Sequence, residues 1–475
     1  MLLHKLDQKL KFIELANSVA HENTVLIPRT TGAVAVTEQA IINEAHEKGF
    51  VVPDKVRYGE DENTQAAGAY VAYPKKGLHK WVGSVDINSL YPSAIQACNM
   101  APESIVGQLR PIETDKYIAD KMADKIINLP SGKTKKKKGC TFALAWEGLF
   151  GTLEYTAVME ERKDFMVTID FEDGNVEELT ASEVYDFMFS KDCNWVISAN
   201  GTIFTLEKAG IIPGLLKRWY SERKEMQAKL KQAIKADLKA DIEYWDKRQL
   251  VKKINLNSLY GAILNAHCRF FDKRIGQSTT LSGRAIAQHM DAHANQCLTG
   301  SYDHVGECII YGDTDSAYFS AWPVLKDAVE AGEMEFDVNT AISLYDGIAD
   351  DINDSFPGFM RKAFHCPRKY GDLIKCGREV VATNGLFITK KRYALLVVDD
   401  EGNRLDVDGK PGKVKAMGLD LKRSDTPPVV QEFLKDILNT TLLNEGKEKV
   451  IKQILSFKEE FEALPPWEKG SPKRI

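Results

Sequence analysis

From Pro213 the apolar pattern keeps a helical period for about 50 residues. A single straight helix of that length would run about 75 Å, too long for one globular unit. Two antiparallel helices that turn over near Ala236 to Ala240 resolve the difficulty. That hairpin is also electrically distinct. Between Lys217 and Lys253 twelve Lys and Arg face six Asp and Glu, a local +6 inside a chain of net charge −5. Lys253, Asn257, Tyr260, Gly261 and Leu264 recur at helical spacing and share one face. The face is cationic at one end, polar and aromatic in the middle, and open at the glycine. It could hold phosphates at Lys253 and stack a base near Tyr260. Taken alone, a solvated charged hairpin with Tyr260 in the core explains the same pattern.

The 475 residues are enough for two to four domains or subdomains. With 44% apolar and 28% charged residues, a collagen-like or wholly disordered chain is excluded. Apolar runs such as Ala394 to Val398 fall far short of the roughly 20 residues that cross a bilayer. Met1-Leu2-Leu3-His4-Lys5 leads into a charged helical pattern with no apolar signal core. The eight cysteines, Cys98, Cys140, Cys193, Cys268, Cys297, Cys308, Cys366 and Cys376, form no CxxC pair or Cys/His cluster. They are expected to be small buried hydrophobes in a reducing compartment, with no structural zinc.

Along the chain, residues 1–50 alternate helical patterns, and a polar loop follows at Asp61 to Gln65. Trp81 to Val85 reads as a strand ending at Asp86, and Tyr91-Pro92 opens a helix. Lys133 to Lys138 is expected to be a solvated loop. Phe165 to Phe171 and Trp195 to Ser198 read as short strands, with turns at Glu172-Asp173-Gly174 and Asn200-Gly201. After Thr426-Pro427-Pro428 the chain is helical and charged up to Leu464.

Three constellations carry chemistry. Gly312-Asp313-Thr314-Asp315-Ser316, between Ile309-Ile310-Tyr311 and Ala317-Tyr318-Phe319, reads as a hairpin. Its two aspartates crowd negative charge, a conflict that a divalent cation removes. Mg²⁺ suits such a place because it needs only one or two carboxylates plus substrate phosphates. Alone, the same turn is better explained by aspartates bonding their own backbone. In Ser84 to Ser93, Asp86 ends a strand just before a helix start, so a carboxylate lies beside amides able to bind phosphate. Ordinary capping by Ser89 or Asn88 would also fit. The hairpin face at Lys253 is the third. Together they supply carboxylates from separate segments plus fixed cations, as nucleotidyl transfer requires. Two metals about 3.5–4 Å apart can activate an attacking 3′ oxygen and neutralise the leaving pyrophosphate, and cations offset the remaining charge.

These residues resemble a known family. Asp86 to Ser93 (DINSLYPS) is similar to motif A of family B DNA polymerases, Lys253 to Gly261 (KINLNSLYG) to motif B, and Tyr311 to Ser316 (YGDTDS) to motif C, in the family's order. Gly68-Ala69-Tyr70-Val71 resembles the template-side Gly-Ala element, and Lys391-Arg392-Tyr393 the KxY element. Lys415 to Leu419 with Thr426-Pro427 resembles the start of the thumb. The likeness is to the replicative type of tailed phages and covers nearly the whole chain.

The resemblance implies an α+β right-hand polymerase: an antiparallel-sheet palm, helical-hairpin fingers and a partial helical thumb. The expected division is 1–59 N-terminal helical segment, 60–108 and 266–425 palm, 109–200 β-rich insertion, 201–265 fingers and 426–475 start of the thumb. It implies that Asp86 and Asp315, helped by the carbonyl of Ile87, hold two Mg²⁺ ions, for which Mn²⁺ could substitute, and that Asp313 is a supporting carboxylate. Ser89, Leu90 and Tyr91 would offer amides to the triphosphate, with the Tyr91 ring excluding a 2′-hydroxyl. Arg223, Lys253 and Asn257 would hold phosphates, Lys253 also serving as general acid for pyrophosphate. Tyr260 and Gly261 would shape the base-pair pocket. Gly68, Ala69, Lys391, Tyr393 and Lys415 would touch primer or template DNA.

Three departures qualify the likeness. Where many phage relatives carry a second cation beyond Arg223, this chain has Gln227, which shifts the expected triphosphate grip to Lys224, Lys252 or Lys253. No DxE exonuclease motif precedes motif A, so no proofreading is expected of this chain. It also ends at Lys473-Arg474-Ile475, soon after the thumb should begin. Either a naturally split polymerase or a fragment is therefore expected; if it is split, companion chains would supply the exonuclease and the remaining thumb, with a sliding clamp reached through one of them. Residues 1–50 and 426–475 would be the docking surfaces. The expected setting is viral replication in the host cytoplasm, with no membrane partner. The rival from another class is a non-catalytic or catalytically incomplete assembly subunit.

Overall fold

The protein is described by a computed structural model covering residues 2–56, 68–111, 126–128, 134–136, 166–188, 193–423 and 425–470. The expected loop at Asp61 to Gln65, Cys140, Phe165 and the terminal Lys473-Arg474-Ile475 lie outside the described residues. The chain divides into two compact units, one made of Met1–Ala69, Ser89–Ile286 and Phe356–Ile374, the other of Tyr70–Asn88, Ala287–Ser355 and Lys375–Ile475.

In the first unit, the long helical stretch is broken where expected. Helices Ile211–Lys235 and Lys239–Ile263 are joined by a turn in which Asp237 takes φ 51°. An Asp tolerates this left-handed backbone better than most residues. Helices Leu2–Leu10, Phe12–Asn23 and Ala33–Glu47 precede it in sequence. Val19, Val36 and Val251 make a shared apolar contact among the last two of these and the hairpin. Beside it the buried amides of Asn23 and Asn255 meet, Asn255 Nδ2 donating to Asn23 Oδ1 at 3.0 Å. This satisfies polar groups that burial would otherwise penalise.

The same unit holds a five-stranded antiparallel sheet, in the order Val176–Thr180, Met166–Phe171, Ile105–Pro111, Thr202–Thr205, Trp195–Ile197. Gly174 and Gly201 sit in its expected turns with φ 89° and 82°, backbone that favours glycine. The sheet draws in strands from either side of the 109–200 range. Part of the lysine run departs from the expected solvated loop: Thr134–Lys136 is a strand paired with Ile126–Asn128, while Lys133, Lys137 and Lys138 lie outside the described residues.

The second unit is built on a seven-stranded antiparallel sheet. Its order is Asn403–Arg404, Arg392–Asp400, Cys376–Thr389, Gly77–Ile87, Ser316–Ser320, Ile309–Asp313, with Lys413–Met417 also pairing Arg392–Asp400. Val82, Tyr311, Tyr318, Phe387, Tyr393 and Leu395 pack into one apolar cluster on it. Gly83 is required by its neighbour, since a Cβ there would stand 2.6 Å from the Tyr345 ring. After Pro427 the expected helices appear as Pro428–Leu442 and Lys447–Ala463, held by Phe433 stacked on Phe457 at 3.8 Å between centroids.

Cys98, Cys268, Cys308, Cys366 and Cys376 are buried thiols as expected, but Cys193 is half-buried and Cys297 exposed. Cys297 lies near the end of helix Lys273–Thr299, where fewer neighbours can cover it. Among the described residues no helix is long and apolar enough to cross a membrane.

Candidate active site

The candidate residues fall into two sets, one in each unit. In the sheet unit, Ile309–Asp313 and Ser316–Ser320 form the expected hairpin, with Asp313 opposite Ser316 and only Thr314 and Asp315 between them. Thr314 takes φ 65°, an uncommon conformation for a β-branched residue. It is held there by its amide, which donates to the Tyr70 carbonyl at 2.8 Å. Gly312 has its own reason: a Cβ would stand 2.9 Å from Asp291 Oδ2. Asp291 is fully buried with Oδ1 lacking a hydrogen-bond partner, and burial pushes its carboxyl well above the usual range.

The two aspartates of the turn have different surroundings. Asp313 is satisfied by protein. Lys391 Nζ lies 2.8 and 2.9 Å from its two oxygens, and the Tyr311 and Thr314 hydroxyls donate to it at 3.2 Å each. Tyr311 in turn accepts the Lys391 amide at 2.9 Å. Asp315 has its carboxyl raised by burial first and then by Asp313 and Glu379, with its own backbone amide and Lys391 opposing.

Asp86 lies at the end of strand Gly77–Ile87, opposite Ser316, and the next amide, of Ile87, donates to the Asp315 carbonyl at 2.8 Å. Its carboxyl is pushed up to about 7 by burial, then by the charges of Asp315, Glu379 and Glu401, with Lys415 opposing. Lys415 pairs with Glu379 at 2.8 Å. Asp86, Glu379 and Glu401 line an open cavity of 520 Å³ with Asn88 and Arg378, and Arg378 is neutralised by Asp346 and Asp399 at 2.6 Å each. An acidic cavity in which one carboxylate is held near neutrality is suited to a dication, which would relieve the repulsion between Asp86 and Asp315. Among the described residues no three His, Cys, Asp or Glu side chains stand grouped as a metal cage.

Tyr393 contrasts with Lys391. The lysine is exposed, whereas Tyr393 is only 5% exposed and its hydroxyl meets that of Tyr318 at 2.8 Å. It supports the strand beside the turn.

In the helical unit, Leu90–Ala97 is a helix whose N-cap, Ser89, takes φ 52° and makes no side-chain cap bond. The first helical bond runs from the Ser93 amide to the Ser89 carbonyl, and Pro92 has no N–H. A helix start of this kind is a geometry suited to anions. The Tyr91 ring stacks on Tyr260 with centroids 4.2 Å apart and planes at 25°. Gly283 leaves room for it, since a Cβ there would stand 2.9 Å from Tyr91 Cε1. The Tyr260 hydroxyl bonds that of Thr280, and burial pushes its phenol up to about 12.

On helix Lys239–Ile263, Lys253, Asn257 and Gly261 are exposed and Tyr260 half-buried, while Val251, Asn255, Leu259 and Ala262 face inward. The shared face is therefore real. Arg223 is half-buried, its Nε reaching Gln249 at 3.4 Å. Lys252 does not belong to the triphosphate grip expected of it. It is buried and ion-paired with Glu22 and Glu222, because its helical position points it into the packed side. Gly68 and Ala69 are exposed, and Arg284 donates to the Gly68 carbonyl at 3.4 Å.

Sequence reasoning missed Glu379, Glu401, Gly283, Thr280 and Asp291. The two glutamates act through strand register and a turn that no local pattern announces. Gly283 and Asp291 are intelligible only once a facing ring or glycine is seen.

Comparison with known proteins adds to this geometry. The family model described as DNA polymerase family B matches residues 27–147 and 150–345. The chain is 28% identical to a DNA-directed DNA polymerase of Escherichia phage RB69 over 467 residues, covering 93% of this chain and 47% of that protein. It is 26% identical to a DNA-directed DNA polymerase of Enterobacteria phage T4, covering 95% and 48%. It is also 25% identical to a DNA polymerase of Paramecium bursaria Chlorella virus NY2A, covering 92% and 37%. The chain spans about half the length, or less, of these relatives.

Proposed function

The chain belongs to DNA polymerase family B, and from that premise we propose that it catalyses template-directed addition of deoxynucleotides to a primer 3′ end. The observation that carries this reading is the coupling of Asp86 to Asp315, two carboxylates 229 positions apart in sequence whose strand ends are tied and whose charges repel.

In this reading Asp86 and Asp315, with the Ile87 carbonyl, hold two divalent ions, Mg²⁺ in the ordinary case. When bound, such ions activate the primer 3′ oxygen and neutralise the leaving pyrophosphate. The protein's own groups do the rest. Asp313, already bonded to Lys391, braces the turn that carries Asp315. The Ser89, Leu90 and Tyr91 amides and the side chains of Arg223, Lys253 and Asn257 bind triphosphate oxygens, and Lys253 gives a proton to the departing pyrophosphate. Tyr91, braced by Tyr260 and Gly283, packs against the sugar and excludes a 2′-hydroxyl. Tyr260 and Gly261 shape the base-pair pocket. Gly68, Ala69, Lys391 and Lys415 contact primer-template DNA, and Tyr393 acts by supporting the strand.

The seven-stranded sheet is the palm in this reading, the hairpin the fingers, and the helices after Pro427 the start of a thumb. The setting is viral DNA replication in a host cytoplasm. The test is primer extension with the purified chain, a primer-template duplex, deoxynucleotides and Mg²⁺. Extension that disappears in both Asp86→Asn and Asp315→Asn supports the assignment, and unchanged extension in both overturns it. No extension by the parent chain favours the rival reading of an incomplete assembly subunit.

A further inference from the structure

At the far end of helix Leu90–Ala97 from Tyr91 lies a cavity of 320 Å³ whose wall includes Gln96 and Asn99. The helix is eight residues and about 12 Å long, so this is a different place from the one beside Tyr91. Three lysines from three segments line it: Lys208 after strand Thr202–Thr205, Lys217 on helix Ile211–Lys235, and Lys369 on the short helix Arg368–Gly371. Leu206, Pro213 and Tyr370 supply apolar and aromatic wall. No carboxylate belongs to the described lining. The three lysines are exposed at the mouth of the cavity, so their charge is open to an anionic ligand.

The nearby polar groups are otherwise engaged. Asn99 donates to the Thr205 and Lys208 carbonyls and accepts from the Gly210 amide, so it shapes the wall and is not available to a ligand. The Ile211 amide is taken by Glu103. A fourth ammonium, Lys48, would lie 2.9 Å from a Cβ on Gly214, but it is paired with Glu44 at 3.0 Å. Lys369 Nζ lies over the Tyr370 ring at 4.7 Å from its centroid, so cation and aromatic surface meet in the same wall. The volume is at the lower end of that of ligand pockets, about 300–1,000 Å³, and fits a single nucleotide better than a polymer.

We propose that this cavity binds a nucleoside phosphate, with Lys208, Lys217 and Lys369 holding the phosphates and Tyr370, Leu206 and Pro213 receiving the ring. The inference stands on the cavity and does not rest on the polymerase reading. Its test is equilibrium dialysis of the full chain against ADP in EDTA, with inorganic pyrophosphate as a second probe. Saturable ADP binding that weakens at least about tenfold in K208A/K217A, with melting temperature and any primer extension unchanged, supports the proposal. A charge-reversed variant, Lys369→Glu, should weaken binding in the same direction. The same ADP affinity in K208A/K217A, or no saturable binding by the parent chain, overturns it. Pyrophosphate bound as tightly as ADP also overturns it, because the ring would then contribute nothing.

Discussion

The Ile87 amide donates to the Asp315 carbonyl at 2.8 Å, fastening the end of one strand to the turn of a neighbouring hairpin. Asp86 is thereby fixed beside the residue whose charge most disturbs it after burial itself. Removing either charge should cost several kcal/mol of transition-state stabilisation, a loss of about 10³-fold or more in primer extension by Asp86→Asn or Asp315→Asn. Asp313→Asn should fall less, by about 10–10²-fold, since what it loses are charge-assisted bonds of about 1.5–3 kcal/mol to Lys391 and its neighbours. Single-turnover rates at saturating nucleotide measure the difference.

The raised Asp86 carboxyl has a thermal consequence. Its ordinary value is 3.8 and in the folded protein it is about 7, so between these the folded state keeps a proton that the unfolded chain has released. Stability without metal therefore falls as pH rises through this window, by linkage. Asp86→Asn should melt at a higher temperature than the parent at about pH 8, and the gap should close towards pH 4, where both states of the parent carry the proton. Added Mg²⁺ should raise the melting temperature of the parent more than that of Asp86→Asn. Calorimetry over the pH range, with EDTA or Mg²⁺, checks all three.

The sequence and the fold agree wherever a local pattern determines the outcome. The turn between the long helices, the hairpin at Thr314 and the helix starting after Ser89 follow from period, punctuation and turn chemistry within a dozen or so residues. The exposed face of Lys253, Asn257 and Gly261 follows from helical spacing alone. What was not legible depends on partners distant in sequence. Lys252 and Lys253 are adjacent and chemically identical, yet only the fold shows that Glu22 and Glu222 claim the first. Glu379 joins Asp86 through strand pairing, as Asp86 lies opposite Gly377. Thr134–Lys136 reads locally as part of a loop, and its backbone pairing with Ile126–Asn128 could not be seen from the lysines alone.

Tyr91 and Tyr260 form a stacked pair, and such pairs contribute about 0.5–1.5 kcal/mol beyond their area. Tyr91→Ala should raise the use of ribonucleotides relative to deoxynucleotides, because the ring that meets the 2′ position is gone. Tyr260→Ala should produce part of the same effect by leaving Tyr91 unbraced. The double variant should then be little worse than Tyr91→Ala alone. Competition between ribo- and deoxynucleotides in primer extension gives the three ratios, and strictly multiplicative effects would mean the two rings act separately.

Lys252 and Lys253 should separate stability from substrate binding. Lys252→Met keeps the apolar stem but removes a buried cation from between Glu22 and Glu222. Breaking a buried pair in this way costs about 3–5 kcal/mol, and the partly exposed glutamates place the loss near or below the lower figure. The melting temperature should fall, while the KM for deoxynucleotides of the protein that remains folded stays near that of the parent. Lys253→Ala should do the reverse, because its side chain is exposed: an unchanged melting temperature, a raised KM and a lowered kcat. Lys253→Arg should recover phosphate binding more than proton donation, since the guanidinium stays protonated at any working pH. A KM restored by arginine without a restored kcat would separate the two roles, whereas full recovery of both would leave Lys253 as a phosphate ligand only.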